Sequence, residues 1–152
     1  MGLNGKTANV TAGWQICDDE PVKLVTVFPG KKASAADLST VDPGDWPSLY
    51  KIALTVADRA QQECRPTPII VGGPGGEVIP EGLAGFAWVR FPDITSSFVQ
   101  WLLKEGHALE GYPGAQICAP IFYLEPAGAW AEAMADVLQS AGHPCSVDQV
   151  ID

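Results

Sequence analysis

Apolar positions recur at three- and four-residue spacing in three stretches, which predicts three amphipathic helices. In the first, Leu49, Ile52, Ala53, Val56, Ala57 and Ala60 give a helix from about Pro47 to Glu63. Asp45 stands at its cap, Pro47 falls in the first turn where a missing N–H costs nothing, and Arg65-Pro66-Thr67-Pro68 stops it. Ile94, Phe98, Trp101 and Leu102 form the stripe of a second helix, Ile94 to Glu105, with Asp93 as N-cap and Gly106 as terminator. The third, Ala127 to Ala141, has the cleanest stripe: Trp130, Ala133, Met134, Val137, Leu138 and Ala141, with Glu132 and Asp136 opposite.

Between the helices the apolar runs are short and rich in β-branched and aromatic residues, which predicts strands. Thr7 to Ile16 and Lys23 to Phe28 form a hairpin about a turn at Cys17 to Pro21. Lys31 to Asp42 is polar and irregular, with Ser34 and Asp37 placed as a capping box. Ile69 to Val71 is a short strand, and Leu83 to Phe91, apolar on both faces, is a central one. Ala115 to Leu124 carries Pro120, which demands an edge or a bulge, and Cys145 to Ile151 closes the chain. The order β-β-α-β-β-α-β-α-β predicts an α+β fold: a mostly antiparallel sheet with three helices, in which residues 23–124 follow the βαββαβ order of a ferredoxin-like core with an added αβ unit. Pro and Gly, 13 and 16 of 152 residues, punctuate one domain spanning 1–152 rather than marking a linker.

Composition narrows the class of protein. With 47% hydrophobic and 18% charged residues the chain is too apolar for disorder, and no run approaches the roughly 20 apolar residues of a membrane span. Met1 to Lys6 leads into no apolar signal-peptide run, so the expected location is cytoplasmic, with no membrane partner. A net charge of −9 opposes approach to a phosphate backbone, which disfavours direct nucleic-acid binding. The charge is asymmetric: Lys104 is the last cation, and Glu105, Glu110, Glu125, Glu132, Asp136, Asp148 and Asp152 follow it.

Candidate chemistry is thin, and no cofactor or metal is expected. Cys17, Cys64, Cys118 and Cys145 include no C-x-x-C pair, so they read as free structural thiols rather than zinc ligands. The loop Gly72-Gly73-Pro74-Gly75-Gly76 follows a strand but lacks the Gly-Lys-Ser/Thr of a phosphate cradle and opens no helix; Gly5-Lys6-Thr7 lacks the glycine and strand that should precede it. Asn9-Val10-Thr11 matches a glycosylation sequon, which matters only in a secreted chain. Asp18-Asp19-Glu20 lacks the alternating spacing of a calcium loop and suits a solvated turn. Cys145 beside His143, or with His107, is the one thiol–imidazole arrangement the chain offers, and Pro144 between them favours a turn.

The aromatic residues carry more. Of five tryptophans, Trp14 and Trp46 lie beside turn residues, where an indole is either a lid over the core or an anchor on a partner. Val78 and Ile79, at the tip of the glycine-rich loop, are apolar groups in want of cover, and the polar arm Met1 to Lys6 has little with which to dock itself. The pattern leans away from an enzyme and toward a protein-interaction or assembly subunit, self-associating or seated in a larger complex, with Trp14, Trp46, Val78 and Ile79 at the interface. Small subunits of viral head-to-tail connectors share this size and habit, an analogy that no motif carries. The alternatives are a small-molecule pocket beside loop 72–82 lined by Trp88, Arg90, His107 and Tyr112, and an acidic inhibitor that covers a basic protein surface.

Overall fold

The computed structural model describes Val10–Cys17, Glu20–Pro29, Leu38 and residues 41–152, the first two segments by their backbone. The elements in chain order are β1 (Val10–Cys17), β2 (Glu20–Pro29), α1 (Trp46–Glu63), β3 (Ile69–Val71), β4 (Glu77–Ile79), β5 (Gly85–Phe91), α2 (Ser97–Lys104), β6 (Leu109–Glu110), β7 (Ala115–Cys118), α3 (Leu124–Ser140) and β8 (Ser146–Ile151). They divide between two compact units, Met1–Lys32 and Ala33–Asp152. Gly5-Lys6-Thr7, the rest of the Met1 to Asn9 arm, the pair Asp18-Asp19, and Ser34 and Asp37 lie outside the described residues.

In the first unit β1 and β2 pair antiparallel as the expected hairpin, with Cys17 opposite Glu20. The connection is therefore tighter than Cys17 to Pro21, and Pro21 is taken into β2.

The second unit is built on α3. Ala127, Ala131, Met134 and Leu138 are fully buried, because α1 packs against one side of this helix and strands β5 and β8 against another. Small residues make the close approach possible. Ala53 and Ala57, four apart on one face of α1, are completely buried, and a Cβ on Gly128 of α3 would lie 2.7 Å from Gln149 Nε2 of β8. Asp45 Oδ1 accepts from Ser48 N at 3.2 Å, so the expected cap of α1 is formed.

The three helices and antiparallel pairing give the α+β class expected. The ferredoxin-like order is not formed: β2 pairs with β1 and β3 with β4, while the four-stranded sheet runs β6-β7-β5-β8. β5 is central, as its apolar run predicts, flanked by β7 and the C-terminal β8. In the second unit three boundaries differ from expectation by three residues or more, each for a local reason. Helix α2 begins at Ser97 rather than Ile94, because Asp93 accepts from Thr95 N (2.8 Å) and Thr95 Oγ1 (2.6 Å) and closes a turn ahead of it. Helix α3 begins three residues early, since Pro126 is tolerated in a first turn. β7 ends at Cys118 instead of Leu124, just before Pro120, which has no N–H for the ladder.

Candidate functional site

Among the described residues the four-stranded sheet has one covered face and one open one. Along β5, Gly85, Ala87, Val89 and Phe91 are buried, whereas Phe86 is exposed and Trp88 and Arg90 are half-buried. Register extends the open face across neighbours: Phe86 lies opposite Val150, Trp88 opposite Asp148 and Cys118, and Arg90 opposite Ser146 and Gln116. Leu109 of β6 stands opposite Gln116 and completes the row. Val150 is 50% exposed, Leu109 62% and Phe122 71%, and the Phe122 ring meets Phe86 edge-on at 5.8 Å. The result is an apolar patch at one end of the face, Phe86, Phe122 and Val150, and a second at the other, Leu109 with the 97% exposed Tyr112.

Polar groups tie these ends together. Arg90 Nε lies 2.6 Å from Asp148 Oδ2, an ion-pair contact set off the line of a hydrogen bond, and Nη1 donates to Tyr112 O at 2.9 Å. One guanidinium thus holds the β6–β7 turn to β8 across the sheet. Beside it Trp88 Nε1 is buried without a hydrogen-bond partner among the described residues. An unsatisfied donor of this kind costs about 1–3 kcal/mol.

Of the residues singled out in the sequence, Trp88, Arg90 and Tyr112 come together on this face. His107 does not. The backbone folds back on α2, where His107 N and Ala108 N both donate to Leu102 O, and the imidazole stacks on Tyr50 at 4.2 Å. Trp46 is half-buried and lies over the core, its ring 6.2 Å from both Phe98 and Trp101. Trp14 falls in β1 opposite Leu24, in the segment described by its backbone. Val78 and Ile79 are in β4, paired with Ile70 and Ile69, rather than at a loop tip. The glycine-rich segment is the hairpin turn between β3 and β4, where a Cβ on Gly76 would fall 1.9 Å from Val71 O. Ile70 and Val78 remain 63% and 57% exposed, so this hairpin is a further apolar surface.

The thiol–imidazole pair does not assemble. His143 stacks on Phe98 at 4.0 Å and its pKa is lowered by burial; Cys145 points its Sγ toward Ala135 O, and burial, with Asp136 adding, pushes the thiol up to about 12. A thiol so protonated is a poor nucleophile near neutrality. Cys64, Cys118 and Cys145 are free, and Cys118 is exposed on the open face. In the native protein Cys118 is expected to react with iodoacetamide at least about tenfold faster than Cys145, read by peptide mass spectrometry. Equal rates would contradict this placement.

Among the described residues no group of His, Cys, Asp and Glu could hold a metal ion, and no helix is long and apolar enough to cross a membrane. The chain matches no protein-family model, no curated protein and no solved structure.

Proposed function

We propose that this chain is a protein-docking module that seats the open face of its sheet on a heterologous partner with a basic surface. The observation that supports it is the placement of Phe86, Phe122, Val150 and Leu109 on one uncovered face around Trp88. Contiguous exposed apolar groups with a polar surround mark docking surfaces, and aromatic residues at their centre carry most of the affinity. Charge selects the class of partner. Beyond Arg65 the cations are Arg90 and Lys104, and Arg90 is committed to Asp148 and Tyr112. Two copies, each at −9, repel, whereas a basic surface is attracted. The reading joins two expectations from the sequence, assembly through apolar anchors and an acidic cover for a basic protein.

Capture from extracts of the source organism, followed by affinity measurement on the partner identified, tests this. Phe122→Lys with Val150→Lys should weaken binding about 10–100-fold, since truncated hot spots cost ~2 kcal/mol or more. Moderate salt should weaken it further by screening. The unfolding midpoint should move little, as Phe122 is 71% and Val150 50% exposed. A partner bound equally well by the double variant would overturn the proposal.

A further inference from the structure

The two edges of the four-stranded sheet are treated differently. At one, β6 is two residues long and runs into Gly111-Tyr112-Pro113-Gly114, where Gly111 N is already bonded to Gly114 O and Pro113 has no N–H. Short strands and prolines are the usual guards against unwanted strand pairing. At the other edge, β8 has six residues with no Pro, Gly or Lys, and its ladder to β5 runs from Gly85↔Ile151 to Arg90↔Ser146 without a register shift. Its outer side is unpaired among the described residues. The strand is also held in place: Asp152 N donates to Ala84 O at 3.2 Å, and Gln139 Nε2 to Cys145 O at 2.7 Å, so both ends are fixed. An extended segment joining this edge would meet a preorganised template.

We infer that β8 accepts an extended, basic segment of the partner as a fifth strand, continuing the open face past Val150. This rests on the docking role proposed above and specifies its mode. Charge decides the occupant. Asp148 lies in the middle of β8, where Arg90 offsets only part of the acidity, Asp152 stands at its end, Glu132 of α3 accepts from Gln149 Nε2 at 3.4 Å, and no Lys or Arg follows Lys104. Antiparallel pairing of two β8 strands would bring each Asp148 near its counterpart, which destabilises directly facing strands. A segment alternating Lys or Arg with apolar residues instead places its charges on the open face, against Asp148, and its apolar side chains on the other face, beside Val147 and Ile151.

The test uses the whole chain and four acetylated, amidated hexapeptides: Lys-Val-Lys-Val-Lys-Val, its glutamate counterpart, and the lysine peptide N-methylated at alternate residues in each of the two phases. Amide NMR with hydrogen exchange is read on each. The unmodified lysine peptide should shift β8 amides and slow exchange at every second one by about tenfold or more. The glutamate peptide should not bind, and at least one methylated phase should lose binding, since it keeps the charges but lacks the ladder donors. Methylated peptides that both bind as well as the parent, shifts confined to Phe86 and Phe122, or no binding to β8 at millimolar peptide would each overturn strand addition. Slowed β8 exchange in concentrated protein without peptide would also overturn it, assigning the edge to a second copy. If capture is sensitive to Phe122→Lys and Val150→Lys while no peptide pairs with β8, the edge proposal fails alone. If the peptide pairs and capture is insensitive, the docking face fails.

Discussion

Trp130→Ala is expected to lower the unfolding free energy by about 3–5 kcal/mol, the range for deleting a large buried aromatic. The ring is 2% exposed and lies at the junction that organises the second unit, and its Nε1 donates to Asp58 Oδ1 at 2.9 Å, joining α3 to α1. Alanine removes the packing and also leaves the carboxylate without its indole donor. Trp130→Phe separates the two effects, because it retains most of the apolar volume and loses the hydrogen bond, at about 1–3 kcal/mol. Against a usual domain stability of about 5–15 kcal/mol, the alanine variant stands near the limit of folding. Urea denaturation followed by far-ultraviolet circular dichroism measures both. A loss below about 1 kcal/mol for Trp130→Ala would contradict the placement of this ring at the α1–α3 junction.

The second large effect is expected at a glycine. Gly114 has φ +91°, and a Cβ there would stand 1.9 Å from Phe91 O, at the end of the β5–β7 ladder. Gly114→Ala therefore combines left-handed strain with a backbone clash, for a loss of about 2–4 kcal/mol. Gly44→Ala is the matched control. Its φ is +94° and nothing lies within 4 Å of the built Cβ, so strain acts alone and about 1 kcal/mol is expected. Similar losses at both positions would mean that Gly114 is not packed against β5. Because the turn it serves carries the Tyr112 carbonyl that Arg90 grips, the Gly114 variant should also loosen the far end of the open face.

The helices were legible because each rests on a long, strongly periodic stretch. For α3, Trp130, Met134, Val137 and Leu138 are all buried as the spacing implies. Additional burial of Ala127, Ala131 and Ala135 was not legible, since they flank the predicted stripe and burial there depends on α1 and the sheet lying on different sides. The strand pairing was the weak link. Glu77–Ile79 is too short to register as a strand between Gly76 and Pro80, yet it takes β3 away from the main sheet. With β3 removed, β8 pairs directly with β5, and the ferredoxin-like order gives way.

The site was legible in its residues more than in its shape. Trp88, Arg90 and Tyr112, read as the lining of a small-molecule pocket, share the open face of the sheet, but His107 was drawn to them by residue type, and its place is fixed by the backbone turn at Leu102. The exposed row of Phe86, Phe122 and Val150 was missed because an apolar strand such as β5 reads as covered on both faces. The signal available was a count of layers: α3 covers one face, and no further amphipathic helix among the described residues is left for the other.

The docking role turns on which surface of the free molecule meets water and loses it on binding. Hydroxyl-radical footprinting, read residue by residue before and after adding the captured partner, measures this directly. In the free chain Phe86, Phe122 and Tyr112 should oxidise readily while Phe98, Trp130 and Met134 stay protected, and the partner should suppress oxidation at Phe86 and Phe122. Protection that falls instead around Lys51, Thr55 and Arg59 on the outer side of α1, with Phe86 and Phe122 unchanged, would contradict the assignment.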